Sequence, residues 1–328
     1  MAEAAEPVSY EAGAAALEAG AGAGAGAAGP SAGLQEAEAR RAEELRRRAL
    51  DPPIVYRDID GAAELEQLTA ALSGAELSEA EQRSLDELRQ YLVAGEGSWV
   101  LGDDFLAFVG RLLRSDEGAG LGAGSGAEAA GGERRRRTLR CLAAAALRED
   151  VSLLLHQDRR DHALLNYAAS IERLPPDEQR AVALFMCNLF EHLSSSEWLL
   201  YISEWERDGQ PLSNIRVTTK VAVHAALSED AALRELGTAL MHNIAAKEVK
   251  TVVFDEVCVE LAMALLQVLA GAPGEEHLYR AVKALARLAQ HSPEVPQLVA
   301  VVGPDPAAFR GTSPRVDEQI DLIMVKVK

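Results

Sequence analysis

Two asparagines lie 55 positions apart in matching segments of the chain. Asn188 belongs to segment 184–189 and Asn243 to segment 239–244, and mostly apolar residues surround each of them. An amide in an apolar helical stripe costs stability unless its donor and acceptor groups are satisfied, and the backbone of a bound peptide can satisfy both. The pattern favours repeated helices with a peptide-binding groove. In the alternative interpretation, each amide bonds a neighbouring loop carbonyl.

Residues with the potential for catalysis show no productive spacing. The seven histidines have neither the spacing of a helical zinc pair nor that of a Cys/His knuckle, so no metal or cofactor is expected. Cys187 and His192 lie five positions apart, which turns them away from each other on a helix. A hydrolase hypothesis depends on this pair alone. We expect Cys187, Cys141 and Cys258 to be buried thiols of an intracellular protein.

One glycine motif and the overall charge exclude further classes of function. Residues 24–29 formally match a dinucleotide fingerprint, but neither a strand nor a helix flanks them, so we interpret the match as a coincidence of low complexity. The chain carries 33 Lys and Arg against 51 Asp and Glu, a formal charge of -18, which argues against a general nucleic-acid binder. No apolar run is long enough to span a membrane. We expect a cytoplasmic or nuclear protein, and a monomer.

The acidity is uneven along the chain. Residues 211–328 carry 12 Lys and Arg against 14 Asp and Glu, and all six lysines lie beyond residue 219. The C-terminal part can therefore hold a local basic patch, although the whole chain is acidic. Arg134–Arg137 form a second basic cluster, which could act in nuclear import or anion binding; a solvated helix start is the more frequent role of such a run.

Composition divides the chain into two parts. Residues 1–52 are predicted to be a disordered tail rich in Ala, Gly and Glu, with a short charged helix over 36–50 that ends before Pro52. Residues 53–328 have helical periodicity nearly throughout. A Gly-rich stretch, 118–132, is predicted to be a flexible loop within this domain. The fold class expected is all-α, an armadillo or HEAT-like helical-repeat superhelix.

Individual patterns predict particular elements of this domain. Ser78 and Glu81 form a capping box, and a long helix is predicted to begin at Pro176. Further helices are predicted over 197–206, 213–227, 230–246 and 275–291, among others. The β-branched run 251–254 is interpreted as a turn or helix end, and no strand is predicted. Trp198, Tyr201 and Trp205 recur at helical spacing, which favours core packing over an aromatic binding stripe.

Several segments resemble the PUL domain, the C-terminal domain of the phospholipase A-activating protein. The most specific are 233–245, which contains Asn243, and 275–288, which contains Arg280; segment 297–303 is similar as well. Upstream, residues 54–60 look like the first segment of that family, and 186–190 look like its central helix. The resemblance covers about 53–328.

The resemblance implies a six-repeat armadillo-type domain with a positively charged groove. In that family the groove binds the acidic C-terminal tail of valosin-containing protein, an AAA+ unfoldase of ubiquitin-dependent degradation. The chain would then be a non-enzymatic adaptor. The expected contacts are Arg280, Lys283, Asn243, Asn188 and Lys220. A guanidinium can bind a carboxylate through two parallel hydrogen bonds, and Arg280→Glu is expected to abolish binding with the melting temperature near that of the wild type.

One departure from the family supports an alternative. Leu184 or Phe185 stands where the family has a second groove arginine, and the nearest cations that could replace it are Arg180, Lys220 and Arg216. In this alternative the chain is a helical-repeat scaffold that has lost the unfoldase site and binds a different protein. Arg280 could also pair within the chain with Glu276, four residues earlier on the same helix.

Overall fold

The computed structural model describes residues 32–114, 125–158, 160–247 and 252–327. Two compact units divide between Pro52 and Pro53. In the described part of the first unit, helix α1 (Ala32–Leu50) covers the charged stretch 36–50. The prediction of disorder for the first 35 residues falls mostly outside the described residues, and residues 32–35 already belong to α1.

The second unit is mostly helical over its described residues, which confirms the mostly helical class predicted from the sequence. Its helices are α2 (Gly61–Leu72), α3 (Glu79–Leu92), α4 (Phe105–Arg114), α5 (Ser125–Ala145), α6 (Val151–Gln157), α7 (Ala163–Ala168), α8 (Pro176–Asn188), α9 (Leu193–Leu199), α10 (Asn214–Ala226), α11 (Ala231–Ala245), α12 (Val252–Ala270), α13 (Glu275–His291), α14 (Glu294–Val301) and α15 (Pro314–Val327). Two strands, β1 (Glu204–Arg207) and β2 (Gln210–Ser213), complete the elements used below.

The helices pack in a repeat-like succession. Helices α2, α5, α8, α11, α13 and α15 each pack on the next, and α10, α12 and α14 pack behind them on α11, α13 and α15 respectively. Helices α10 and α11 approach each other closely at Gly237 on α11, where a Cβ would lie 2.1 Å from the backbone nitrogen of Ala226. A side chain at this position would clash with the backbone beside it, so the packing of α11 on α10 requires glycine here.

Local capping explains several helix starts. Ser78 and Glu81 form the predicted capping box, with Glu81 Oε2 accepting from the Ser78 N–H at 2.8 Å. Asp60 caps α2 and Asp230 caps α11, and in each case the carboxylate accepts from two backbone N–H groups of the first turn. These side chains satisfy donors that the first turn of a helix leaves without intrahelical partners.

A β-hairpin replaces the helix predicted over 197–206. Helix α9 ends at Leu199, and β1 then pairs antiparallel with β2, Trp205 opposite Leu212. The connecting residues, Asp208 with φ 53° and Gly209 with φ 73°, both adopt the left-handed region. An Asp-Gly pair in this conformation forms the tight turn that matches the twist of two strands, so the sequence contained a hairpin signal that the helical periodicity obscured.

One smaller prediction also differs from the structure. Helix α5 begins at Ser125, so residues 125–132 of the predicted Gly-rich loop are helical, while 118–124 lie outside the described residues. The run 251–254 agrees with its interpretation as a helix end over its described residues, because Val252, Val253 and Phe254 begin α12, and Phe254 is buried in the core. No helix among the described residues combines the length and the apolar character needed to cross a membrane.

Candidate peptide-binding site

A segment with no regular secondary structure lies between the first unit's boundary and α2. We call residues 53–59 the strap. Its residues Ile54, Val55, Tyr56 and Ile59 are partly buried and pack against the hydrophobic core. The backbone N–H of Ile54 donates to a side chain of α11, and that of Tyr56 donates to a side chain of α8. These two bonds are two residues apart, which is the alternation of an extended chain.

Asn243 binds the strap at Ile54. Its Oδ1 accepts from the Ile54 N–H at 2.8 Å, and its Nδ2 donates to the Ile54 carbonyl, also at 2.8 Å. The side chain is 1% exposed, so these bonds replace water that the amide cannot reach. One side-chain amide thus satisfies both backbone polar groups of a single residue.

Asn188 repeats the arrangement at Tyr56. Its Oδ1 accepts from the Tyr56 N–H at 2.8 Å, and its Nδ2 donates to the carbonyls of Tyr56 and Ala143, each at 3.0 Å. Ala143 lies on α5, so this amide also connects α8 to its neighbour. We call Asn188 and Asn243 together the amide clamp.

The clamp determines the direction of the strap. Asn243 on α11 binds residue 54, and Asn188 on α8 binds residue 56, so the strap runs from the later helix to the earlier one. The chain then enters α2, which packs on α5. The strap is therefore antiparallel to the order of the helices that hold it.

The Tyr56 side chain reaches a charged network. Its hydroxyl donates to Glu235 Oε1 at 3.2 Å, and the Glu235 carboxylate also binds Arg280 Nη1 and His277 Nε2, each at 2.7 Å. Burial opposes ionisation of Glu235, but the hydrogen bonds from His277 and Arg280 hold its pKa below the usual range. Burial, together with the negative charge of Glu235, raises the pKa of Tyr56 well above its usual value.

Arg280 is buried within this network and is not an open groove cation. It is 7% exposed, and its Nε donates to Glu276 Oε1 at 3.2 Å, in addition to the bond with Glu235. The pairing with Glu276 is the alternative that the sequence left open. Although burial disfavours its charge, the Glu235 carboxylate raises the pKa of Arg280 above its ordinary value.

The strap carries one more specific contact, at Arg57. Its guanidinium binds the Glu191 carboxylate through two bonds, Nη2 to Oε2 at 2.6 Å and Nε to Oε1 at 3.3 Å. Arg57 is exposed, whereas the Glu191 side chain is 19% exposed. The wall beside the C-terminal end of the strap is thus negative at Glu191.

The remaining expected contact residues are engaged elsewhere. Lys283 Nζ donates to the Tyr279 hydroxyl at 3.0 Å on α13. Lys220 pairs with Glu172 at 3.1 Å and lines a surface cleft with Val223, His224, Leu227, Ser228 and Glu260. The structure therefore brings Asn188, Asn243 and Arg280 together around the strap, and it places Lys220 in a different cleft.

The two arginines considered as replacements for the family's second groove arginine are also paired within the chain. Arg180 binds Asp177 and Asp230, and Arg216 Nη2 binds Glu256 Oε2 at 2.7 Å.

The Cys187 thiol has no environment that would activate it. It is fully buried and donates to the Leu236 carbonyl at 3.4 Å, and burial raises its pKa far above that of a reactive thiol. His192 Nε2 instead contacts the Leu147 carbonyl at 2.9 Å. Within the described ranges, no group of three or more His, Cys, Asp or Glu side chains could hold a metal ion.

The other residues singled out by the sequence have structural contacts. Among the arginine run, Arg135 binds the buried Glu178 carboxylate through two bonds of 3.0 Å, and Arg137 and Arg140 both bind the buried Glu64. Arg136 Nε donates to Glu133 at 3.0 Å, whereas Arg134 Nε donates to the Ala71 carbonyl at 3.1 Å, so three of the four arginines of the run pair with carboxylates.

The aromatic trio does not share one helix. Trp198 lies on α9 and is buried, Tyr201 is 43% exposed, and Trp205 lies on β1, stacked on His162 with ring centroids 4.0 Å apart. The helical spacing predicted a common face that the hairpin removes.

The position of the strap is not indicated by the sequence, because no pattern in residues 54–60 connects them to the two asparagines. Both amides bind backbone groups of this in-chain segment, which agrees with the alternative of a loop carbonyl rather than with a bound peptide. Comparison with protein-family models, with curated proteins and with solved structures finds no match to this chain. The resemblance to the PUL family stays a prediction.

Proposed function

We propose that this protein is a non-enzymatic adaptor whose armadillo-like helical domain binds an extended peptide of another protein. The observation that carries the proposal is the amide clamp, in which each of two asparagines binds the N–H and the C=O of one residue in an extended segment. Backbone groups are common to every peptide, so the clamp holds any chain of compatible side chains and direction. The strap occupies this position in cis.

The first candidate partner is the acidic C-terminal tail of valosin-containing protein. The resemblance to the PUL domain supports it, and α13 supplies two positive charges, Arg280 in the network that Tyr56 joins and Lys283 one turn further along the helix. In the structure, however, Arg280 already pairs with Glu235 and Glu276. A tail carboxylate must therefore compete with two internal carboxylates, and the strap must leave before the tail can reach the amides.

A variant that lacks most of the strap's side chains tests these two requirements separately. In this unlatched variant residues 53–58 are replaced by a Gly-Ser repeat, whereas Ile59 and the α2 cap Asp60 are retained. A labelled tail peptide is titrated against the wild type and the unlatched variant by fluorescence anisotropy, at low and at physiological salt. We expect the unlatched variant to bind more tightly, and salt to weaken the complex.

Lys283→Glu tests whether the positive charge of α13 contributes to binding of the acidic tail. Lys283 is half-buried at the surface of α13, so the substitution should weaken binding of an acidic peptide while the melting temperature changes little. Absence of binding to either protein at either salt would remove the unfoldase tail as a partner.

A second candidate is a scaffold with a different protein partner. Its specific support is that Asn188, Asn243, Arg280, Lys283 and Lys220 all have partners within the chain. Leu184 and Phe185 also stand where the PUL family has an arginine. The anisotropy experiment distinguishes the candidates, because only the first requires the acidic tail to bind.

A further inference from the structure

The side chains of the strap indicate which sequence a peptide of another protein needs in order to fit the amide clamp. The geometry points to a partner segment of another protein with two aliphatic residues, a tyrosine and then a basic residue, bound antiparallel to the order of the helices. This inference rests on the proposed function and names the class of its peptide. The residues that define this class are Ile54, Val55, Tyr56 and Arg57 of the strap, together with the groups that bind them.

The backbone bonds define two register positions. The residue at Asn243 and the residue at Asn188 are two apart, so their side chains leave the same side of an extended chain and the residue between them leaves the other. Ile54 and Tyr56 both pack against the core from these positions, and Val55 between them is partly buried against the core as well. The clamp thus combines sequence-independent backbone recognition with apolar contacts at three successive side chains.

The position at Asn188 selects a phenol. Tyr56 donates to Glu235 Oε1 at 3.2 Å, and Glu235 is held in place by Arg280 and His277. A phenylalanine would leave this carboxylate with one hydrogen bond fewer in a partly buried place. A ligand with a hydroxyl there is therefore favoured over its isostere.

The following position selects a positive charge. Arg57 binds Glu191 through a two-bond fork, a geometry that a guanidinium forms and an acidic side chain opposes. Glu235 and Glu276 add negative charge on the neighbouring helices, and Arg280 is already paired with both. The clamp is therefore suited to a basic residue after the tyrosine, in contrast to the acidic tail considered above.

The strap and the trans peptide must exclude each other, because both use the same two amides. A tethered segment competes at an effective concentration on the order of millimolar or above. The wild type should thus bind a free peptide on the order of 100-fold more weakly than the unlatched variant does, if the free peptide binds at about 10 μM.

The test uses synthetic peptides of residues 51–60 and the full-length unlatched variant. We expect the unchanged peptide to bind, an N-methyl group on the Tyr56 nitrogen to abolish binding, Tyr56→Phe to weaken it about 5-fold, and Arg57→Glu to weaken it about 10-fold. Asn243→Leu in the unlatched variant is the matched control, since the two backbone bonds described for its side chain both go to the strap. It should lose binding without a further loss of melting temperature.

A charge exchange tests the basic position directly. In the unlatched variant with Glu191→Arg, the Arg57→Glu peptide should bind more tightly than the unchanged peptide, a reversal of the original order. If both peptides keep their original order, Glu191 does not select the ligand and the basic position is wrong.

Two outcomes separate this inference from the proposed function. Binding of the acidic tail without binding of the strap peptide would leave an adaptor and overturn the ligand class named here. Binding of neither peptide to a folded unlatched variant would overturn both. Should the unlatched variant not fold, Tyr56→Ala, which keeps the strap backbone, takes its place and must bind the labelled strap peptide more tightly than the wild type does.

Discussion

The strap and the β-hairpin are two extended segments in a helical protein, and they satisfy their backbones in different ways. The hairpin pairs with itself, Glu204 opposite Ser213 through Arg207 opposite Gln210. The strap has no such ladder, and at Ile54 and Tyr56 its backbone binds the side chains of two helices that lie far away in sequence.

The two segments obtain their stability from different sources. A hairpin with an Asp-Gly turn depends on local geometry and needs the rest of the domain mainly for packing. The strap depends on the spacing of α8 and α11, so changes in those helices should release it while the hairpin stays paired.

Charge reversal beneath the strap should have the largest effect. Arg280→Glu would place a third carboxylate beside Glu235 and Glu276 in a mostly buried site. We expect the free energy of unfolding to fall by about 4 kcal/mol, unlike the unchanged stability expected from sequence alone. Urea denaturation measures the change.

Arg310→Glu is the matched control for that change, because Arg310 pairs with Asp321 on the exposed surface. It should cost less than about 1 kcal/mol. Equal losses in the two variants would contradict the buried network.

Removal of one clamp amide should have the next largest effect. Asn188→Leu keeps the volume but leaves the Tyr56 N–H and the carbonyls of Tyr56 and Ala143 without these partners. We expect a loss of about 3 kcal/mol and faster hydrogen exchange at the Ile54 and Tyr56 amides.

Asn166→Leu, beside the hairpin, serves as the comparison. Its side chain accepts from Trp205 Nε1 at 2.9 Å and donates to the Asp161 carbonyl at 3.0 Å in a half-buried place. It should cost about 1 kcal/mol and leave exchange in the strap unchanged. Faster exchange at Ile54 in this variant would show that the two regions are coupled.

The two regions should respond to pH with opposite signs. Beside the hairpin, burial raises the pKa of Asp158 to about 6. Its folded pKa exceeds the unfolded one, so its contribution is fully present below about pH 4 and is lost as the pH rises through 6, by about 2 kcal/mol. Under the strap, the lowered pKa of Glu235 contributes stability above its unfolded pKa that is lost as the pH falls through the folded one.

Thermal melts from pH 4 to pH 7 measure the contribution of Asp158 to the stability of the fold. The slope of stability with pH should differ between the wild type and Asp158→Asn, in which this group cannot titrate. An Asp158 carboxyl that titrates near 4 by nuclear magnetic resonance would contradict the effect of burial.

The smallest effect is expected at the hairpin's aromatic contact. Trp205→Phe keeps a ring against His162 but loses the indole donor to Asn166. We expect a loss of about 1 kcal/mol, with the strand pairing retained. Circular dichroism and hydrogen exchange at Leu212 check both points. Fast amide hydrogen exchange throughout the hairpin would show that the ring stacking, rather than the hydrogen bonds between the strands, keeps the hairpin formed.

Some features of the fold were predictable because they depend on neighbouring residues. The capping box at Ser78 and the helix over 275–291 follow from cap chemistry and apolar periodicity, which operate within a few turns. The hairpin was missed although Asp208-Gly209 marks its turn, because Trp198, Tyr201 and Trp205 imitate helical spacing. The start of α5 at Ser125 was missed because glycine-rich composition outweighed its context.

The candidate site was predictable in part. An asparagine in an apolar stripe requires polar partners, so the need for such partners at Asn188 and Asn243 follows from the sequence, which leaves a bound peptide and a loop of the chain both open. The identity of the partners does not follow, since Ile54 lies 189 positions from Asn243 and no local pattern connects them. The burial of Arg280 was likewise unpredictable, because it results from Glu235 on a different helix.

The sequence by itself determined the helical class, most helix starts and the presence of two amides that need polar partners. Only the tertiary structure decided that these partners belong to the chain itself, and that Arg280 is paired instead of open. The physical reason is the range of the interactions. Propensity, periodicity and capping act over a few residues, whereas the satisfaction of a buried amide or charge depends on whichever distant groups the packing of helices brings within hydrogen-bond distance.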